Sequence, residues 1–151
     1  MKLSFSWIGL VVFLLPMLIN VVYALCPPTD APKTSAPVTR WIEWIEKISR
    51  VAYLLALVLL VRKRPLDWGS EQLSLALTFL ALYYAVWLRY FAQGRRVEWL
   101  EKPLGFVPMP LAVFPVLYYL CAAIWLGNFP AAGLMCVFGA AHLTVSFQSF
   151  Q

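Results

Sequence analysis

The chain has 151 residues, of which 62% are hydrophobic, 16% aromatic and 13% charged, with a formal net charge of +5. Soluble domains run closer to about 45–50% apolar and about 25% charged, so a water-exposed globule of this size is excluded: the surplus apolar surface would have nowhere to go. The basic residues stand in short clusters between apolar runs, as in a membrane protein, so the charge is not read as a nucleic-acid footprint.

The first apolar segment, "FSWIGLVVFLLPMLINVVYAL" (5–25), is long enough to span a bilayer at about 1.5 Å per residue. Its basic start and the small residue Ala24 resemble a cleaved leader. However, its apolar run of about 20 residues exceeds the usual 7–15, and it carries Pro16 and Asn20, so a retained helix is expected. Residues 26–39 follow as a linker, because their prolines, serine and threonines cannot build a core. Further helices are expected at about 40–62, 70–93, 105–127 and 129–148. Asn128 and Pro130 read as the cap and first-turn proline of a tight hairpin between the last two. The expected fold class is therefore all-α, a single membrane domain over 1–151 with five transmembrane helices, because backbone in lipid must satisfy its own hydrogen bonds. The expected location is the cell membrane, as a multi-pass integral protein. The two sides nearly tie in basic residues, with the N-terminus favoured for the inside.

One stretch breaks the apolar pattern. In "RWIEWIEKISR" (40–50), Glu43, Glu46, Lys47 and Arg50 fall at i, i+3, i+4 and i+7, on one face of a helix. Two arrangements fit this spacing: charge turned into the bundle, or an interfacial amphipathic helix with solvated charges. The five-span order favours the first. Asn20 and Tyr23 end helix one on the linker side, where Glu43, Glu46 and Arg50 begin helix two. Tyr83, Tyr84 and Arg89 lie late in helix three, and His142, the single histidine, lies late in helix five. One leaflet therefore collects the polar groups, and ionisable groups in spans pair or line cavities. Arg50 and Arg89 against Glu43 and Glu46 are the expected pairs, with Asn20, Tyr23, Tyr84 and His142 as the hydrogen-bonding rim of a pocket.

Four stretches, "INVVYAL" followed by prolines, "IEWIEKISR", "YYAVWLRYF" and "VFGAAHLTVSF", together resemble a group of small multi-span membrane proteins of Gram-positive bacteria. Members of that group tend to have proline before the helix-one asparagine, where this chain has Ile19. The resemblance implies that helix one is kept and that Asn20, Glu43, Glu46, Arg50 and His142 act as a set. It implies no activity.

Three function classes follow. The leading one is a protein binding or helping to move a small, lipid-like molecule in a polar pocket within one leaflet, its other partner being the bilayer. The second is a membrane-embedded enzyme using Glu/His acid–base or metal chemistry through Glu43, Glu46 and His142. The third is an accessory subunit whose charges only lock helices together. The sequence calls for no cofactor or resident metal and has no HExxH, CxxC, serine-elbow or phosphate-loop motif. Cys26, Cys121 and Cys136 imply no disulfide framework. Ala132, Cys136, Ala140 and Thr144 recur every four residues along 129–148. That small-residue stripe suits close packing against helix four of the same chain, or against a second copy in a homo-oligomer.

Overall fold

A computed structural model describes residues 1–30, 38–62 and 65–149; half of the linker, and the basic residues Lys33, Lys63 and Arg64, lie outside these. The chain starts with a short strand β1 (Lys2–Leu3) and helix α1 (Trp7–Leu25). Helix α2 (Arg40–Leu59) then runs into strand β2 (Leu60–Val61), followed by α3 (Glu71–Ala92) and the single-turn α4 (Glu98–Glu101). The chain closes with α5 (Pro110–Trp125) and α6 (Phe129–Ser149). The fold is all-helical apart from the β1–β2 pairing. Among the described residues, three helices, α1, α3 and α6, are long and apolar enough to cross a membrane.

Local chemistry explains the helix ends. Ser6 and Ser70 cap α1 and α3, their hydroxyls accepting from the Gly9 and Leu73 N–H groups at 2.9 and 3.3 Å. Helix α2 stops at Leu59, short of the expected 62, because β1 captures the following backbone with Lys2 opposite Val61 and Leu3 opposite Leu60. Its last carbonyls, orphaned as at any helix C-terminus, find outside donors. Ser4 and Ser6 N–H groups bond Leu59 O and Val58 O, and the buried Asn128 amide bonds Ala56 O and Leu60 O at 2.8 and 2.9 Å. Asn128 also caps α6, its Oδ1 accepting from the Ala131 N–H at 3.1 Å. Helix α5 begins at Pro110, not at 105, because a residue before proline is pushed out of the helical region; Met109 stands outside it at φ −133° and ψ 71°.

Four helices pack in the order α2, α6, α5, α3, and α1 closes the open side. Two glycines set close approaches. A Cβ at Gly9 would lie 2.2 Å from Leu57 O of α2, and one at Gly139 would lie 2.7 Å from Val116 of α5. From Gly9, α1 crosses diagonally away from α2. It meets α5 at Val12 and Phe13, then α3 at Leu15, Asn20 and Tyr23.

Pro16 lies within α1 and has no N–H, so it leaves the Val12 carbonyl without its helical donor. The Tyr118 hydroxyl supplies the missing bond at 2.8 Å. Tyr119 donates to Phe13 O at 2.8 Å and Tyr84 to Leu15 O at 2.5 Å, so three tyrosines hold the proline-containing turn.

The two ends of the bundle are distinct. The β1–β2 ladder, the α5–α6 turn and residues 65–70 gather at one end, where the Trp125 indole donates to Asp67 O at 2.8 Å. At the other, the linker end, the Thr29 N–H bonds Arg95 O at 3.0 Å and the Thr39 N–H bonds Gln148 Oε1 at 3.1 Å. Large apolar side chains cover the outside, among them Val11, Leu18, Leu55, Leu77 and Val137. Exposed indoles sit at both ends, Trp7 and Trp68 at one and Trp41 and Trp44 at the other.

Candidate functional site

All five long helices contribute to a cavity of about 440 Å³ in the linker-side half of the bundle. Helix α1 supplies Phe13, Met17 and Asn20, and α2 supplies Arg50 and Tyr53. Tyr83 and Trp87 come from α3, Leu111, Pro115 and Tyr119 from α5, and Met135, Phe138 and His142 from α6. The placement follows from the diagonal of α1. Where α1 has moved over to α3, the first half of α2 is left uncovered, and the Arg50 side chain there is 54% exposed.

Arg50 belongs to a three-member cluster centred on Glu46, whose side chain is only 9% exposed. Glu46 Oε1 receives Arg50 Nη2 at 2.5 Å and lies 2.9 Å from His142 Nδ1. An ionised carboxylate only accepts, so Nδ1 carries the proton in this contact, and the corresponding neutral tautomer has its lone pair on Nε2. Phe138 braces both partners of Glu46. Its ring stacks on the imidazole at 5.1 Å and 13°, and the Arg50 guanidinium lies 5.5 Å from its centroid. At 1.5 Å per residue, Glu46 lies about 9 Å inside the start of α2.

A second polar group comes from α1 and α3. The Tyr83 hydroxyl donates to Asn20 Oδ1 at 2.8 Å, which leaves the Asn20 amide N–H groups with only a long contact to Met17 Sδ at 3.9 Å. The Trp87 side chain is buried and its indole N–H has no partner among the described residues. Two other polar groups near the cavity are spent: Tyr53 donates to Tyr119 O at 3.1 Å and Tyr119 to Phe13 O. Pro115 lacks an N–H and frees the Leu111 carbonyl one turn before it.

Asn20, Arg50 and His142 thus line one cavity, and Glu46 stands directly behind the last two. The other expected site residues lie elsewhere. Glu43 points away and pairs loosely with Lys47 at 3.9 Å, both well exposed. Arg89 pairs with neither glutamate. It donates to Trp99 O, Lys102 O and Pro103 O at 2.7–3.3 Å and so fastens α4 to the end of α3, because three orphan carbonyls there offer closer partners than α2. Tyr84 is used on Leu15 O, and Tyr23 packs against Trp87 and Tyr90 at 5.0 and 5.9 Å. With Glu43 turned outward, no three His, Cys, Asp or Glu side chains among the described residues are placed to hold a metal. In the small-residue stripe, Ala132 is buried in the bundle while Cys136, Ala140 and Thr144 face outward instead of packing on α5.

Sequence reasoning missed Tyr53, Trp87, Tyr119, Met135 and Phe138. None of these carries a mark in the sequence that separates it from ordinary apolar packing; the donor that Pro16 calls for is Tyr118, outside the cavity. A second cavity of about 300 Å³ lies toward the opposite end between Trp7, Val11, Leu73 and Trp125, and its walls are almost wholly apolar. Comparison with known families, characterised proteins and solved structures returns no match.

Proposed function

We propose that the chain is a five-pass integral membrane protein that binds, or helps to move, a small molecule in the pocket of its linker-side half. The apolar outer surface and the exposed indoles at both ends suit a bilayer, with α2 and α5 as the fourth and fifth passes. Helix α2 tolerates its charges because Glu46, Arg50 and His142 satisfy one another instead of facing lipid. The observation that carries the reading is the cavity itself. It has the size of a small-molecule site, mostly aromatic and aliphatic walls, and a few polar groups converging from separate helices. A purely structural charge cluster would need no such space beside it. The cavity between Trp7, Val11, Leu73 and Trp125 has almost wholly apolar walls and gives the pocket no polar continuation through them, which argues against a stand-alone channel.

A second reading rests on one contact. The Glu46–His142 pair at 2.9 Å orients an imidazole whose free Nε2 is suited to general-base work. Binding and acid–base roles share the same residues, so a bound ligand is the common first step.

Cysteine accessibility tests the pocket. On a background lacking the three native cysteines, Met135→Cys places a thiol in the cavity wall, and Val86→Cys places one in equally buried packing that borders no cavity. A small permeant maleimide should modify the first much faster than the second in bilayers. Equal, slow modification of both would remove the pocket.

A further inference from the structure

We propose that the occupant is a neutral ring lipid of the quinone class, a flat ring with oxygens at opposite edges and an apolar tail; this rests on the pocket reading above. The polar groups divide between two walls. The Asn20 amide and Trp87 indole stand on α1 and α3, and Arg50 and His142 stand on α2 and α6. Because the helices pack in the order α2, α6, α5, α3, these pairs flank the cavity from its two sides, with Pro115 and Leu111 between. On the first wall the Asn20 amide N–H groups are unspent and suit a ring carbonyl, while the unpaired Trp87 indole N–H is covered by its neighbours. On the second, the Arg50 guanidinium suits a carbonyl and the free Nε2 of His142 suits a hydroxyl. That wall therefore takes either form of a second ring oxygen.

Charge argues against an anionic headgroup. Arg50 is already matched by Glu46 at 2.5 Å, so a carboxylate or phosphate would meet no net positive charge and would have to displace an existing partner. Shape argues for a ring, since Phe13, Tyr119, Tyr53 and Phe138 present aromatic surfaces to the space. At about 440 Å³ the cavity holds a substituted ring with the start of a chain, and not a two-chain lipid. The chain has a way out, because the uncovered first half of α2 beside α1 opens the cavity sideways at Arg50.

The test is equilibrium binding of a radiolabelled decyl-substituted para-benzoquinone to the full chain in lipid nanodiscs, with empty nanodiscs subtracted and labelled palmitate run in parallel. Saturable quinone binding should weaken about 3- to 10-fold in Asn20→Leu, which removes one neutral hydrogen bond to the ring. Palmitate should not bind saturably. Met17→Phe narrows the cavity without removing the Asn20 donor and should also weaken binding, which covers the case in which the Asn20 variant fails to fold. Palmitate binding that depends on Arg50, without quinone binding, would overturn the ring-lipid assignment and leave the pocket standing. Quinone binding untouched by both variants would place the molecule elsewhere and overturn it too. Binding of neither compound also overturns it, and the Met135→Cys modification rate then decides whether a pocket exists at all.

Discussion

Replacing Glu46 by glutamine keeps the shape of the side chain and removes its charge. In the parent, one carboxylate oxygen serves both Arg50 and His142, and the side chain is 9% exposed. Breaking a fully buried ion pair costs about 3–5 kcal/mol, and exposed pairs contribute about 0–1. Arg50 is half exposed and can recover part of its solvation, so the expected cost is about 2–3 kcal/mol. At about 2–4 °C per kcal/mol for a chain of this length, Tm should fall by about 4–12 °C. Glu43→Gln is the internal control. It has the same chemistry one helical turn away, but its partner Lys47 is 3.9 Å distant and solvated, so Tm should drop by at most about 4 °C. The assay is thermal unfolding in detergent or nanodiscs, completed by the Glu46→Gln/His142→Gln cycle. That cycle should show a coupling of about 0.5–3 kcal/mol. If Glu46→Gln melts no lower than Glu43→Gln, the charged stretch is a solvated surface and the reasoning fails.

Three further outcomes are expected. Tyr118→Phe leaves Val12 O with no donor, since Pro16 has none, and should cost about 1–3 kcal/mol; Tyr119→Phe should cost less, because Phe13 O retains its helical partner. Comparative denaturation of the two variants checks this. Gly9→Ala drives a methyl into Leu57 O and should lower stability by about 1–3 kcal/mol, whereas Gly133→Ala meets nothing within 4 Å and should be neutral or slightly stabilising. Single cysteines at Gly69 and Glu101, on a background lacking the native three, should react with an impermeant reagent from opposite faces of sealed vesicles. Modification of both from one face would break the five-pass arrangement.

Helicity was legible because each long apolar run can satisfy its backbone only as a helix in lipid, and prolines and caps mark several boundaries. The ends of α2 and α5 were not legible. The first is set by β1, a partner more than fifty residues away in sequence, and the second by the conformational restriction before Pro110. Within the charged stretch, the helical spacing grouped Glu43 with Glu46 and Arg50. The stretch is one broad face on which Glu43 stands between Glu46 on one side and Lys47 on the other, and the structure sends it to Lys47. Arg89 was misplaced because its depth suggested a carboxylate partner, while the carbonyls of α4 were invisible until that turn was known to be helical. The polar side of the bundle followed from counting spans. Which polar groups meet there depended on the diagonal of α1, which Gly9 and the tyrosines set and which no periodicity encodes.

The pocket's polarity and both functional readings rest on the meeting of Glu46 and His142 inside the bundle. His142 is the single histidine, so ring-¹⁵N labelling reports one site. Solid-state NMR of the protein in bilayers, with ¹³Cδ-glutamate and ¹⁵N-histidine, should show Nδ1 protonated and strongly dephased by one carboxyl carbon on the order of 4 Å away. Glu46→Gln, prepared with the same glutamate label, should abolish that dephasing. No dephasing in the parent, or dephasing that survives the substitution, would contradict the contact and, with it, the site.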